Sequence, residues 1–398
     1  MQAVMMVAGK STRTYPLTLT RPKPLLPVIN RPLIFYNLDQ LAGLVEEVIL
    51  IVGYRKEMIS AMLGGKYRDM KLIYQEQKEQ LGTGHAVLQA APHIRGRFLV
   101  MNGDDLYARE DIARLLDYRY AALAKKVPDP SQYGVILTDE KGHIVGLVEK
   151  PREFVGDLAN IGCYIFEPDI FPELETLPLS ERGEIELTEA ILNIARRKPF
   201  FAVLISGYWL PTGFPWDLLN TQRFLFDHFF NPEVHGKVAA SAELAGAVTV
   251  EEGAEIRAGA RIVGPAHIAS GAKIRENALI LPYCAVGPDA AVGPASLLEN
   301  TILFAGAALD ASVQVRHSVI GENCRIGEGT HFLTSLPSGE KVRSFVKGKW
   351  ITTAHTELGG FLGDGVRLGG RVSVFPGCKI WPGLTVEPAA VLKEDVRR

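Results

Sequence analysis

VEEGAEIRAGARIVGPAHIASGAKI, residues 250–274, repeats one pattern: an aliphatic residue returns at every sixth position. The series runs Val250, Ile256, Ile262, Ile268, Ile274, Ile280, Val286, Val292, Leu298 and Phe304, then resumes as Leu362, Leu368, Val374, Ile380, Val386 and Leu392. A helix repeats its faces at 3.6 residues and a strand at two, so a strict period of six fits neither. It fits a coil of three short flat faces, each turning a corner and pointing one apolar residue inward. Glycine and proline collect where corners are expected, as in Gly287-Pro288 and Gly293-Pro294, because tight turns favour them. Between about 305 and 357 the period lapses, and the polar stretch from Ser335 to Lys349 reads as a loop thrown out of the coil.

Upstream the pattern changes. Residues 2–7 read as a strand followed by a glycine-containing loop, and Pro32 opens a helix whose Leu33, Tyr36, Asn37 and Gln40 step toward a stop at Gly43. Residues 47–52 and 97–102 are further strands, the second running into Gly103-Asp104-Asp105. Strands alternating with helices imply a mostly parallel sheet covered on both faces. Ligands bind such sheets beyond the carboxyl ends of the strands, where Asp104 and the loop 8–13 fall. At 398 residues the chain exceeds one ordinary core. The expected division is an α/β domain over 1–220, a connection over 221–245 and a coil over 246–398 with its excursion near 335–349. Phe224, Phe226, Phe229 and Phe230 mark the connection as a helix that packs the domains together.

A chain with 47% hydrophobic and 22% charged residues and net charge −2 is globular, and it carries no basic stripe for a nucleic acid. Its most apolar run, residues 48–52, is far too short to span a membrane, and the N-terminus lacks a signal-peptide layout. Cys163, Cys284, Cys324 and Cys378 are scattered without a CxxC pair. They read as small buried hydrophobes rather than disulfides or zinc ligands, which implies a reducing, cytoplasmic setting.

The chemistry concentrates near the start. A glycine turn after a strand brings the backbone amides of Ala8 and Gly9 close to a phosphate chain, while Arg13 and Lys23 supply charge. Pro22 and Pro24 flank Lys23 and restrict its aim. Asp104 at a strand end is a hard-cation ligand by chemistry or a turn residue by structure. Thr83, before a helical run, reads equally as a helix N-cap.

The run from Arg13 through Val28 resembles the signature of sugar-1-phosphate nucleotidyltransferases, and the hexapeptide half resembles the left-handed β-helix many of them append. The pattern is similar to bifunctional-type N-acetylglucosamine-1-phosphate uridylyltransferases and to relatives that also use dTTP. The resemblance implies a Rossmann-like α/β nucleotidyltransferase domain followed by a left-handed parallel β-helix that assembles as a homotrimer or higher homo-oligomer. It implies a pyrimidine triphosphate, UTP or dTTP, beside Gln77, Gly82 and Thr83, and Mg²⁺ on Asp104. It implies a glucose- or N-acetylglucosamine-type sugar 1-phosphate beside Gly134, Glu149, Lys150 and Asn160. Arg13 and Lys23 would then stabilise the charge that grows as the sugar phosphate attacks the α-phosphorus and pyrophosphate leaves.

The sequence departs from the family in three respects. Ser11 stands where a second glycine is usual, and Val7 replaces a small residue. Pro211 replaces the aspartate that completes the metal site in relatives. Asp217 is the substitute within reach of the sequence, although it also suits the start of a helix near Trp216. A weakened, binding-only homologue is the alternative that Pro211 motivates. The acetyl-transfer residues of bifunctional relatives fall at Ala311, Gln314 and Thr334, so acetyl transfer is not expected, and His317 and His331 are read as solvated corner residues.

Overall fold

The computed structural model describes residues 1–151 and 153–397. The chain forms two compact units. The first comprises Met1–Lys10, Pro22–Leu25 and Leu33–Pro211; the second comprises Ser11–Arg21, Leu26–Pro32 and the chain from Thr212 onward.

In the first unit a ten-stranded sheet is parallel at its centre, in the order Phe98–Asn102, Gln2–Met6, Glu47–Val52 and Met70–Glu76. These strands are short apolar runs because helices bury both faces. Alternate residues divide between two cores, with Met5, Leu50 and Met101 on one face and Val4, Ile49 and Val100 on the other. Leu158–Phe166 then pairs antiparallel with Phe98–Asn102, and the sheet turns antiparallel from there through Gly134–Thr138 and Ile144–Glu149. The mostly parallel reading therefore describes the centre and not this flank. The helix Leu187–Ala195 shows how the faces are covered: Leu187, Ala190, Ile191 and Ile194 are its buried stripe.

The second unit is a left-handed parallel β-helix of three sheets with eight, eight and seven strands. Ile256 pairs with Ile274 and Ile274 with Val292, so the hexad residues stack in columns inside the coil. Coiling already begins at Lys237–Val238, inside the stretch assigned above to the connection. Val238 and Leu244 lie at the next two six-residue steps before Val250 and pack against the same core. The connecting helix is Asp217–Phe229.

The apparent lapse after residue 304 is mostly a change of step. Leu303, not Phe304, occupies the column, between Val286 and Ile320. Leu309, Val315, Ile320, Ile326 and Phe332 continue it, with two sides shortened to five residues. The coil leaves only for a hairpin, Arg343–Val346 against Lys349–Thr352, after which Ile320 stacks on Leu362 and Phe332 on Val374.

All four cysteines are buried and free. Burial pushes the thiols of Cys284, Cys324 and Cys378 up to about 12, and that of Cys163 higher still.

Three histidines are expected to make this unit acid-sensitive. Burial lowers the pKa of His267, partly offset by Glu251; it lowers that of His317 against the pull of Glu299 and Glu357, and that of His355 together with His317 and Arg223. Below the unfolded value of about 6.5 the unfolded chain binds more protons than the folded one. The stability contribution is therefore complete above that pH and is lost as pH falls through the folded values. Thermal unfolding of the β-helix is expected to hold its midpoint from pH 8 to 7 and to drop on acidification below 6.5. Replacing all three by glutamine flattens the dependence.

Candidate functional site

The glycine loop is held from behind and open in front. The Val7 amide donates to the Ile51 carbonyl (2.9 Å), and the carbonyl of buried Ala8 accepts from Tyr54 N (3.0 Å) and Gln80 Nε2 (2.8 Å). Nothing lies within 4 Å of the point a Gly9 side chain would occupy, so the backbone there is accessible. Ser11 takes a left-handed conformation, φ 49°, at roughly 1–2 kcal/mol for a non-glycine residue. Its carbonyl accepts from Thr14 N (3.0 Å) and Thr18 Oγ1 (2.9 Å), which holds it there.

Val7 is accommodated by Gly103, since a β-carbon on Gly103 would sit 2.3 Å from Val7 Cγ1. Gly103→Ala is expected to cost about 1–3 kcal/mol from overpacking, seen as a lower denaturant midpoint. Val7→Ala in the same chain is expected to restore most of it.

Lys23 lies in a short 3₁₀ turn, Lys23–Leu25, closed by Leu25 N donating to the Pro22 carbonyl (3.0 Å). Its side chain is 5% exposed, and its ammonium meets Asp104 Oδ2 at 2.8 Å. The neighbouring Asp105 is committed to structure: its carboxylate accepts from Trp209 Nε1 (3.1 Å) and its carbonyl from Asn37 Nδ2 (2.7 Å). The two aspartates thus divide, with Asp104 on the charged side.

Gln77 is buried and donates to the Gly82 carbonyl (3.1 Å), with His85 Nδ1 at 3.2 Å. His85 sits one turn along the helix Gly82–Leu88. Thr83 is inside that helix and Leu81 caps it without a side-chain bond, which corrects the N-cap reading of Thr83. The cause is distant. Gly84 N donates to the Ile185 carbonyl (2.9 Å) and Ile185 N to the Leu81 carbonyl (2.7 Å), which fixes the helix start. Gly82 has φ +94°, and a β-carbon there would meet Glu184 at 2.8 Å.

Gly134, Glu149 and Asn160 form one rung across three neighbouring strands, Gly134 being paired with Glu149 on one side and Asn160 on the other. Cross-strand partners share a face, and glycine at 134 lets the Glu149 carboxylate lie over it: a β-carbon there would stand 2.9 Å from Glu149 Oε2, 3.4 Å from Leu147 Cδ2 and 3.6 Å from Asn160 Cβ. Lys150 reaches Glu149 at 3.4 Å. Arg182, which the sequence reading passed over, approaches Glu149 at 3.7 Å and bonds Glu186 at 2.7 Å. Its signal was the charge-dense stretch 181–186.

Arg13 and Asp217 belong to the second unit and both lie against Gly213-Phe214. The Arg13 guanidinium is 5.4 Å from the Phe214 ring centre, and Asp217 Oδ2 accepts from Phe214 N (2.8 Å) at the start of its helix. Among the described residues no group of three or more His, Cys, Asp or Glu side chains is placed to hold a metal ion. Asp104 alone still fits Mg²⁺, which commonly takes one or two carboxylates and fills its octahedron with phosphates and water.

His317 is not the solvated corner residue expected. It and His355 line a cavity of about 300 Å³ with Asn300, Arg223 and Glu357. Asn300 Nδ2 and His317 Nδ1 are 2.8 Å apart.

Such a sheet, its glycine loop and its appended coil define a nucleotidyltransferase carrying a left-handed β-helix. The nucleotidyl transferase family model matches residues 2–228, more than half the chain, and the chain belongs to that family. The model of the GMPPB C-terminal domain matches residues 262–354. The chain is 35% identical over 396 residues to the bifunctional protein GlmU of Methanocaldococcus jannaschii, covering 100% of this chain and 96% of that one. It is 31% identical over 401 residues to a bifunctional sugar-1-phosphate nucleotidylyltransferase/acetyltransferase of Sulfurisphaera tokodaii, covering 100% and 98%. A solved UDP-glucose pyrophosphorylase in complex with UDP-glucose superposes with a TM-score of 0.53 at 26% identity, covering 57% of this chain and 98% of that one. No helix among the described residues is long and apolar enough to cross a membrane.

Proposed function

We propose that the protein transfers a nucleotidyl group from UTP or dTTP to a glucose- or N-acetylglucosamine-type sugar 1-phosphate and releases pyrophosphate. The Gly134–Glu149–Asn160 rung supports this best, because it sets a carboxylate and a carboxamide on one face, either side of a residue with no side chain of its own. A carboxylate accepts from sugar hydroxyls and a carboxamide both donates and accepts. Lys150, beside Glu149, meets the sugar phosphate. Gln77 reads the pyrimidine edge, and the backbone at Ala8 and Gly9 with Gly82 and Thr83 carries the nucleotide.

The attacking oxygen is already ionised, so no general base is required. Lys23 and Arg13 stabilise the charge that accumulates on the phosphates in the transition state. Mg²⁺, held by Asp104 with Asp217 as a second candidate, would neutralise phosphate charge. We read the domains as a nucleotidyltransferase domain over 1–220, a connection from 221 and a coil that starts at Lys237–Val238 rather than at 246, with flat-sided coils packed into a homotrimer or higher oligomer in the cytoplasm.

A substrate-panel assay decides the reading. Pyrophosphate release is expected only with a pyrimidine triphosphate, a hexose 1-phosphate and Mg²⁺ together; none across the panel sinks it. Sugar-nucleotide binding without turnover, restored by Pro211→Asp, would instead support the binding-only homologue.

The cavity at His317 favours a second activity, acyl transfer by the β-helix. Half-buried imidazoles with lowered pKa remain neutral near pH 7 and are fit to accept a proton. Thiol release from acetyl-CoA with an amino-sugar phosphate, lost in His317→Ala, is the expected sign; no release with wild type removes it.

A further inference from the structure

Gln77 stands one residue past the strand Met70–Glu76, at the carboxyl end of the sheet, where ligands of such folds sit. Its backbone is fixed, because Gln77 N donates to the Val52 carbonyl (2.8 Å). The loop that follows is clasped from two sides within the first unit. Gln80 Nε2 donates to the carbonyl of Ala8 in the glycine loop (2.8 Å), and Ile185 N donates to the Leu81 carbonyl (2.7 Å). Gln77 is therefore held in the same frame as the glycine loop.

Its carboxamide has one orientation. A carbonyl oxygen accepts and never donates, so the end of Gln77 that lies 3.1 Å from the Gly82 carbonyl is Nε2. That same nitrogen lies 3.2 Å from His85 Nδ1. An amide nitrogen has only hydrogens to offer, so Nδ1 is the acceptor, and the neutral imidazole carries its proton on the other ring nitrogen. Both amide hydrogens of Gln77 are then committed to the protein. Its Oε1 has no donor among the described residues and is not sealed from solvent. The two acceptors are themselves built in. A β-carbon on Gly82 would meet Glu184 at 2.8 Å and the Ile185 carbonyl at 2.9 Å, and His85 rides on a helix whose Ala86 and Val87 are buried.

We propose that His85 is a specificity-determining residue for the nucleobase, acting through Gln77 as a positioning residue. With Gly82 it leaves Gln77 an acceptor and nothing else. Uracil and thymine present N3–H, a donor, between two carbonyl acceptors. Cytosine presents N3 as a bare lone pair. A fixed Oε1 accepts from the first edge and repels the second, whereas a carboxamide free to rotate would serve both by exchanging its ends. Selection against cytosine thus comes from denying Gln77 its second orientation. This rests on the reading of Gln77 above as the contact to the pyrimidine edge.

The test measures dissociation constants for UTP and CTP by calorimetry on intact wild type, H85L, H85F, H85N and Q77A, beside pyrophosphate release with glucose 1-phosphate. Wild type is expected to bind UTP at least about 10-fold tighter than CTP. H85L removes the acceptor, so the ratio should fall by about 5–10-fold, with CTP bound more tightly as well as UTP more weakly. H85F keeps the ring volume without an acceptor and carries the same expectation if H85L does not fold. Asparagine attaches its Oδ1 at the carbon that bears Nδ1 in histidine, so H85N should hold the ratio within about twofold of wild type. That rescue separates the aim of Gln77 from packing of the helix, since all three variants lose the imidazole. Q77A should erase the preference. A wild type indifferent to the base, H85L and H85F that keep its ratio, or an H85N that falls with them overturns the role of His85. A Q77A that keeps the ratio overturns the base reading of Gln77 and this role with it. A clear preference for UTP without pyrophosphate release overturns the transfer reading alone and leaves His85 in place.

Discussion

Lys23→Met is expected to lower kcat by about 10²–10³-fold, or about 3–4 kcal/mol of transition-state stabilisation. The Lys23 side chain is 5% exposed and its ammonium is pre-aimed by its contact with Asp104 at 2.8 Å, so it pays little reorganisation when charge develops on the phosphates. Methionine keeps most of the stem volume and removes the charge. The fold should tolerate this, because Asp104 is 33% exposed and water can solvate its carboxylate once the partner is gone. The measurement is steady-state pyrophosphate release beside a thermal melt. A fall in kcat with a melting point near wild type is the expected pair. A rise in KM for the triphosphate with kcat unchanged would instead give Lys23 a ground-state binding role. Arginine at this position keeps charge but needs more room than the enclosed slot offers, and should recover only part of the rate.

Much of this was legible in the chain because it is local. The strand Glu47–Val52 lies where its apolar run placed it, and the hexads from Val250 to Leu298 line the coil as their spacing required. What escaped depends on contacts between distant residues. Thr83 reads as a cap until Ile185, about a hundred residues on, moves the start of the helix to Gly82. Val7 looks like a defect in a phosphate loop until Gly103 is seen beside it. A count by sixes loses the coil after Leu298 because one side is a residue short, an indel in structure that periodicity alone cannot register. Pairing Gly134 with both Glu149 and Asn160 was a matter of strand register, which local sequence does not encode. The assignment of Ser11–Arg21 and Leu26–Pro32 to the second unit was likewise hidden, because Arg21 finds its carboxylates some 300 positions away.

Leu303→Asp is expected to unfold the coil around it, at a cost of several kcal/mol for an unpaired buried carboxylate. Leu303 is fully buried in the central column, with Val286 as its partner on one turn and Ile320 on the next. Those neighbours offer only methyl groups, and an aspartate there must either desolvate its charge or take up a proton. In a solenoid each turn is stabilised mainly by the turns it touches, so a break at this point removes support on both sides. Leu303→Val should cost only about 1 kcal/mol, because it keeps the apolar character and loses a single methylene. A strict six-residue count puts Phe304 in the column and Leu303 facing out, where an aspartate would be nearly silent. Denaturation followed by far-UV circular dichroism separates the two registers: a silent Leu303→Asp would restore the six-residue count, and a collapsed coil beside a mild Leu303→Val fixes the five-residue side.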